Sequence, residues 1–168
     1  MSVQIVQIKP KFEKAVQSLF RAVVKFMNEG GLFQWDKKYP QPAALNQDIL
    51  NGEMYGILEG EKVVATITLN TNQDEPYESL PWEITEGTQL VVHRLAVHPK
   101  HLGNKFGNHL MAFAEDLARE QDHTAIRLDT FSGNPHALKL YDNLGYKRVG
   151  IINLDYREGD FVVFEKGM

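Results

Sequence analysis

Apolar and polar residues alternate over Val3–Ile8, which predicts a strand ended by Lys9-Pro10. The period then lengthens. Phe12, Val16, Leu19, Phe20, Val23 and Met27 recur at helical spacing, predicting an amphipathic helix stopped by Gly30-Gly31. The polar face of that helix is not strongly basic, so its apolar stripe reads as core-facing rather than as a membrane-surface helix. Leu32–Gln41 is a loop carrying Phe33, Trp35 and Tyr39, and a short helix follows from Pro42 to Leu50.

Glu53–Leu58 and Val63–Leu69 read as two strands joined by the turn Glu59-Gly60-Glu61-Lys62. Asn70–Gly87 is too long for a routine connection and is therefore expected to be functional or mobile. Thr88–Val97 is a strand ending at Pro99, and Phe106, Leu110, Phe113, Ala114 and Leu117 mark a second long helix. A strand over Ala125–Thr130, a helix over Pro135–Leu144, and a hairpin of Tyr146–Leu154 and Asp160–Glu165 around Arg157-Glu158-Gly159 complete the chain. The order β-α-α-β-β-β-α-β-α-β-β describes a mixed α/β fold, expected as a single domain over residues 1–168.

Composition narrows the function. The chain of 168 residues is 43% hydrophobic and 24% charged, enough to bury a core of its own. A net charge of −4 gives nucleic-acid binding no electrostatic support. The absence of cysteine excludes a disulfide framework, a thiolate-ligated zinc and an acyl-cysteine intermediate. Met1–Val6 lacks the basic flank and apolar stretch of a signal peptide, and no apolar run is long enough to span a bilayer. The expectation is a cytoplasmic protein without a membrane or nucleic-acid partner.

Two segments carry candidate chemistry. Over Val91–Gly107 a strand runs into a glycine-bearing turn that opens a helix. The first-turn amides of a helix lack internal partners and sit at the positive end of its dipole, so this arrangement suits a pyrophosphate as well as serving as a plain connection. Neither a Walker loop nor G-x-G-x-x-G is present. The second segment, Leu128–Tyr146, is punctuated by Asn134 as N-cap, Pro135 at the first helical position and Gly145 past the end. Ala137, Leu140, Tyr141 and Leu144 share one face of that helix, where Tyr141 on its own reads as a core aromatic with its hydroxyl at the rim.

Taken together these segments resemble the GNAT superfamily of N-acetyltransferases. Val97-x-Pro99 and the glycine turn look like its acetyl-CoA motif, usually Q/R-x-x-G-x-G/A, with Leu102 in place of Gln or Arg and Lys105 in place of the first Gly. Asn134-x-x-Ala137-x-x-Leu140-Tyr141-x-x-x-Gly145-Tyr146 matches its N-x-x-A-x-x-L-Y-x-x-x-G-F/Y segment. The specific motifs cover residues 91–146, and the element order agrees over most of the chain. The fold the resemblance implies is a central, mostly antiparallel mixed sheet flanked by helices.

The resemblance also implies roles. Acetyl-CoA is the cosubstrate and no metal is needed. Leu95, Ala96 and Val97 bind pantetheine through the main chain, while amides of Leu102, Gly103, Asn104, Lys105, Phe106, Gly107 and Asn108 cradle the diphosphate. Lys105 is expected to take a helical φ. Asn134 borders the cofactor, and Tyr141 protonates the departing thiolate, the reference pKa values being ~10 and ~8.5. Val91 occupies the family's usual Glu position and cannot act as a base. His93 lies two residues on, at the place of a histidine in the arylalkylamine acetyltransferases, and reads either as the base or as a packed histidine. His98 and His101 read as surface residues.

The acceptor is expected to be a small-molecule amine. Asn70–Gly87 carries Asp74, Glu75, Glu78, Glu83 and Glu86 without Lys or Arg, which suits either a solvated acidic loop or steering of a cationic amine. Trp35 and Trp82 are the candidate ammonium-facing aromatics. The competing reading is a degenerate GNAT domain that binds acyl-CoA as a sensor without turnover, favoured by Leu102 and Lys105 and opposed by Tyr141 and Asn134. Monomer and homodimer both stay open.

Overall fold

Each apolar period becomes an element of the kind it predicts. The computed structural model describes residues 3–168. In chain order they form β1 (Val6–Gln7), α1 (Glu13–Glu29), α2 (Pro42–Leu50), β2 (Met54–Glu59), β3 (Lys62–Asn70) and β4 (Gln89–Val97). Then come α3 (Phe106–Glu120), β5 (Ala125–Phe131), α4 (Pro135–Asn143), β6 (Lys147–Ile152) and β7 (Phe161–Gly167). Met1 and Ser2, on which the reading of the N-terminus partly rests, lie outside the described residues. The strands are ordered β1-β2-β3-β4-β5-β7-β6. The β1–β2, β2–β3, β5–β7 and β6–β7 ladders are antiparallel and β4–β5 is parallel, the mixed sheet expected.

The chain's contacts group it into two units, Met1–Leu69 with Arg94–Phe113, and Asn70–His93 with Ala114–Met168. In the first unit α1 lays Val16, Leu19, Phe20 and Val23 into a core with Ile8, Trp35, Leu45, Ile49, Met54, Val63 and Ala96. The helix stops because Gly31 adopts φ +83, which lets the Leu32 amide reach back to the Met27 carbonyl at 2.8 Å. β1 is shorter than the alternation suggests. Its partner β2 bulges between Ile57 and Leu58, and pairing with β1 ends just before that point, at Val6↔Gly56.

In the second unit β5 is flanked by β4 and β7. One face, carrying Val91, Phe161 and Val163, packs with Tyr77, Ile152 and Leu154. The segment 70–87 lies on this face as an anchored strap rather than a mobile loop. Arg127 on β5 donates to the Gln73 side chain at 2.7 Å and to the Ile84 carbonyl at 2.8 Å, with its guanidinium 3.8 Å from the Trp82 ring centre. Glu165 on β7 accepts from the Glu83 amide at 2.7 Å. Both charged residues are buried, and their side chains supply partners to the strap's backbone and to Gln73.

Candidate active site

In the first unit, β4 delivers the chain to the turn that the sequence singled out. The His98 amide donates to the Val64 carbonyl at 2.8 Å, which holds the strand's end against β3. Ala96 is buried in the core, whereas Leu95 and Val97 are half-buried. His98 caps a 3₁₀ turn over Pro99–Asn104 by accepting from the Lys100 amide at 3.1 Å. His101 stacks on Phe106 at 5.6 Å between ring centres, with Nε2 3.4 Å from a Glu59 carboxylate oxygen. The two half-buried histidines thus help to shape the turn.

Lys105 corrects the expectation of a helical φ. It is left-handed, at φ 58 and ψ 31, the region that favours glycine. The reason is geometric: the chain must turn from the 3₁₀ segment into α3, and the Lys105 carbonyl then accepts from the His109 amide at 3.1 Å. A lysine therefore adopts the conformation that makes glycine usual here. Leu102, Gly103, Asn104, Lys105 and Asn108 are exposed, with Phe106 and Gly107 half-buried, and a side chain built on Gly103 would meet nothing within 4 Å. The amides of Phe106, Gly107 and Asn108, at the first turn of α3, need acceptors from outside the helix.

In the second unit, Asn134 caps α4 by accepting from the Ala137 amide at 3.1 Å, and Gly145 ends the helix region at φ +86. Tyr141 is buried against Phe164 and Tyr146, its ring centre 5.5 and 6.0 Å from theirs. Burial, with the nearby Asp129 carboxylate, holds its hydroxyl well above the ordinary phenol range. Phe164 pairs with Leu128, so Tyr141 packs on the sheet face opposite Asp129. His93 is half-buried, with Nε2 2.8 Å from Asn70 Oδ1. Asp129 is half-buried and accepts from the Tyr77 hydroxyl at 2.5 Å. Burial raises its carboxyl to about 6; Asp74 adds to the rise, while Tyr77 and Arg157 oppose it.

The sequence profile of the acetyltransferase (GNAT) family matches residues 19–146. The chain belongs to the GNAT family. Solved structures share its fold. A GNAT-family acetyltransferase from Streptococcus agalactiae aligns with TM-score 0.82 and 22% identity over 99% of this chain and 95% of that one. PaiA N-acetyltransferase from Thermoplasma acidophilum, in complex with coenzyme A, aligns with TM-score 0.74 and 16% identity over the whole of both chains. A polyamine N-acetyltransferase from Drosophila melanogaster that forms N-acetylagmatine aligns with TM-score 0.72 and 14% identity, covering 99% of this chain and 100% of that one. No curated protein matches the chain in sequence. As a GNAT acetyltransferase the protein is an acyl-transfer enzyme with an acyl-CoA cosubstrate. Among the described residues no helix is long and apolar enough to cross a membrane.

The two tryptophans proposed from sequence for this GNAT enzyme's acceptor are already engaged. Trp35 lies in the first unit's core, its ring centre 5.4 Å from that of Phe20. Trp82 is under the Arg127 guanidinium and donates Nε1–H to the Tyr77 carbonyl at 2.8 Å. Sequence reasoning passed over Asp129, Tyr77, Asp48 and Arg94. Asp129 left a signal, a carboxylate inside the apolar run of β5. Arg94, left-handed at φ 50 within β4, left none.

Proposed function

We propose that this acetyltransferase moves an acetyl group from acetyl-CoA to a primary amine by direct attack in a ternary complex. The observation that carries the reading is Tyr141, kept protonated by burial on a helix capped by Asn134. The thioester supplies an activated carbonyl carbon and a sulfur leaving group. The amides of residues 102–108 are proposed to hold the diphosphate, since the open space before Gly103 and the start of α3 fit an anion. Exposed Lys105 offers an ammonium to a phosphate. Main-chain groups of Leu95–Val97 suit the pantetheine amides, and Asn134 is proposed to border the cofactor.

Tyr141 acts as the acid in this proposal. The reference phenol and thiol values lie close together, but burial widens the gap. The hydroxyl therefore first donates a hydrogen bond to the developing thiolate, and its proton crosses as the carbon–sulfur bond breaks.

The acceptor is proposed to be cationic. Of the strap's acids, Glu83 is matched by Lys147 at 3.3 Å and Asp74 accepts from the Tyr156 hydroxyl at 3.2 Å. Glu75, Glu78 and Glu86 are exposed, so the strap keeps a negative field that draws in an ammonium at low salt. The test pairs CoA calorimetry with thiol release from acetyl-CoA over a panel of polyamines, amino acids and peptide N-termini. Binding with turnover supports the proposal. Binding without turnover on any amine would make the protein a sensor, and no binding would overturn both readings.

A further inference from the structure

The parallel ladder of β4 and β5 runs from Gln89↔Ala125 to Val91↔Arg127 and stops there. β5 keeps its ladder with β7 through Phe131, so the departure belongs to β4, whose chain turns at Arg94. Two residues beyond the last pair stand His93 on β4 and Asp129 on β5. The two-residue period places both on the face of Val91 and Arg127. That is the face covered by the acidic strap and opposite the one on which Tyr141 packs.

The two groups are held differently. An amide oxygen accepts, so His93 Nε2 carries its proton toward Asn70. Asp129 accepts from Tyr77 through Oδ2, and Oδ1 accepts from no group among the described residues. Tyr77 and Asp74 from the strap and Arg157 between β6 and β7 act on Asp129, Tyr156 acts on Tyr77 beside it, and His93, Arg127 and Glu165 share its sheet face. Tyr141 acts on it from α4. The carboxylates of Asp129, Asp74 and Glu165 outnumber the guanidiniums of Arg127 and Arg157, so this face carries a net negative charge that suits an ammonium.

We infer that Asp129 is the base that takes the proton from the acceptor amine, and that Tyr77 positions its carboxylate. The inference rests on the amine-acetylation reading. The ammonium gives one proton to Asp129, and the freed lone pair forms the nitrogen–carbon bond to the acyl carbon. The carbon–sulfur bond breaks with its electron pair on sulfur, which takes the Tyr141 proton. The nitrogen's second proton leaves to solvent as the amide forms, solvent reprotonates the Tyr141 phenolate, and Asp129 returns its proton to solvent. With a carboxyl near 6, the transfer from an amine of pKa ~10.4 is less uphill than to an ordinary carboxylate.

The experiment compares a protonated alkylamine with an alkoxyamine, which is already neutral at assay pH, in wild type, Asp129→Asn, Tyr77→Phe and His93→Ala. Asp129→Asn is expected to lower kcat for the alkylamine by about 10²–10⁴-fold and to abolish the acidic limb. It should spare the alkoxyamine and leave CoA affinity unchanged by calorimetry. Tyr77→Phe removes a hydrogen bond that favours the carboxylate, so the limb should move to higher pH. Equal deficits for both amines, or a limb lost in His93→Ala and kept in Asp129→Asn, would overturn the inference. If Asp129→Asn fails to bind CoA, an unmoved limb in Tyr77→Phe overturns it instead. Wild type that acetylates no amine would sink the underlying reading rather than the choice of base.

Discussion

Arg94 grips both oxygens of Asp48, Nε to Oδ2 and Nη2 to Oδ1 at 2.8 Å each, from a backbone at φ 50. A non-glycine residue in that region costs about 1–3 kcal/mol and persists only where its surroundings over-determine it. Here the surroundings are Asp48 on α2, which also accepts from Thr68 at 3.0 Å, and the Tyr39 hydroxyl, 3.2 Å from Arg94 Nη1. The ion pair therefore ties the bend in β4 to α2 and to the aromatic loop before it.

Both partners are largely shielded from solvent, with side-chain exposures of 14% and 8%, so deleting one strands the other's charge. Asp48→Ala is expected to cost about 3–5 kcal/mol in urea unfolding. Replacing both residues, Asp48→Leu with Arg94→Met, should recover much of that loss. A double variant no better than the single one would mean that the bend, rather than the charge, sets the cost.

Lys105 pays a left-handed penalty of roughly 1–2 kcal/mol that glycine avoids, while glycine gives up about 0.5–1 kcal/mol to unfolded-chain freedom. Lys105→Gly should therefore raise stability by about 0–1.5 kcal/mol. Its ammonium is exposed, so CoA affinity should fall no more than about tenfold and should lose part of its salt dependence. Lys105→Val keeps the strain, adds a β-branch, and should weaken binding at every salt concentration. Calorimetry at two ionic strengths separates these effects.

Local signals carried most of the fold. The stripe Val16-Leu19-Phe20-Val23 became the buried face of α1, and Asn134, Pro135 and Gly145 bound α4 where their chemistry requires. What was not legible depends on partners distant in sequence. Nothing near residue 94 announces a left-handed arginine, because Asp48 holds it from another helix. Length alone left segment 70–87 either functional or mobile, whereas Arg127 and Glu165 anchor it from two strands. Trp35 is an aromatic of the kind that faces an ammonium, yet the core of the first unit absorbs it.

Tyr141→Phe keeps the ring against Phe164 and Tyr146, so urea stability should barely change. If Tyr141 is the acid, kcat should drop by about 10²–10⁴-fold with CoA affinity intact. The active form is the protonated one and burial raises its pKa, so wild type should show no basic limb from this group below pH ~10. Full turnover by the phenylalanine variant would leave Tyr141 a packing residue.

Asp129 also leaves a mark on stability. Its carboxyl titrates near 6 in the fold, with burial the main cause, against ~3.9 in an unfolded chain. The folded state therefore binds the proton more tightly, and stability falls as pH rises between about 4 and 6. Above that window the ionised carboxylate costs at most about 2–3 kcal/mol. Asp129→Asn keeps an acceptor for Tyr77 and removes the charge. The variant should be more stable than wild type at pH 8 by up to that amount and no more stable at pH 4. Denaturant titrations at the two pH values check this, and an equal gain at both would show that the carboxyl is not raised. A stability gain alongside a turnover loss confined to protonated amines is hard to obtain from a packing residue. It is what a carboxylate kept ionised for chemistry, against its own burial, produces.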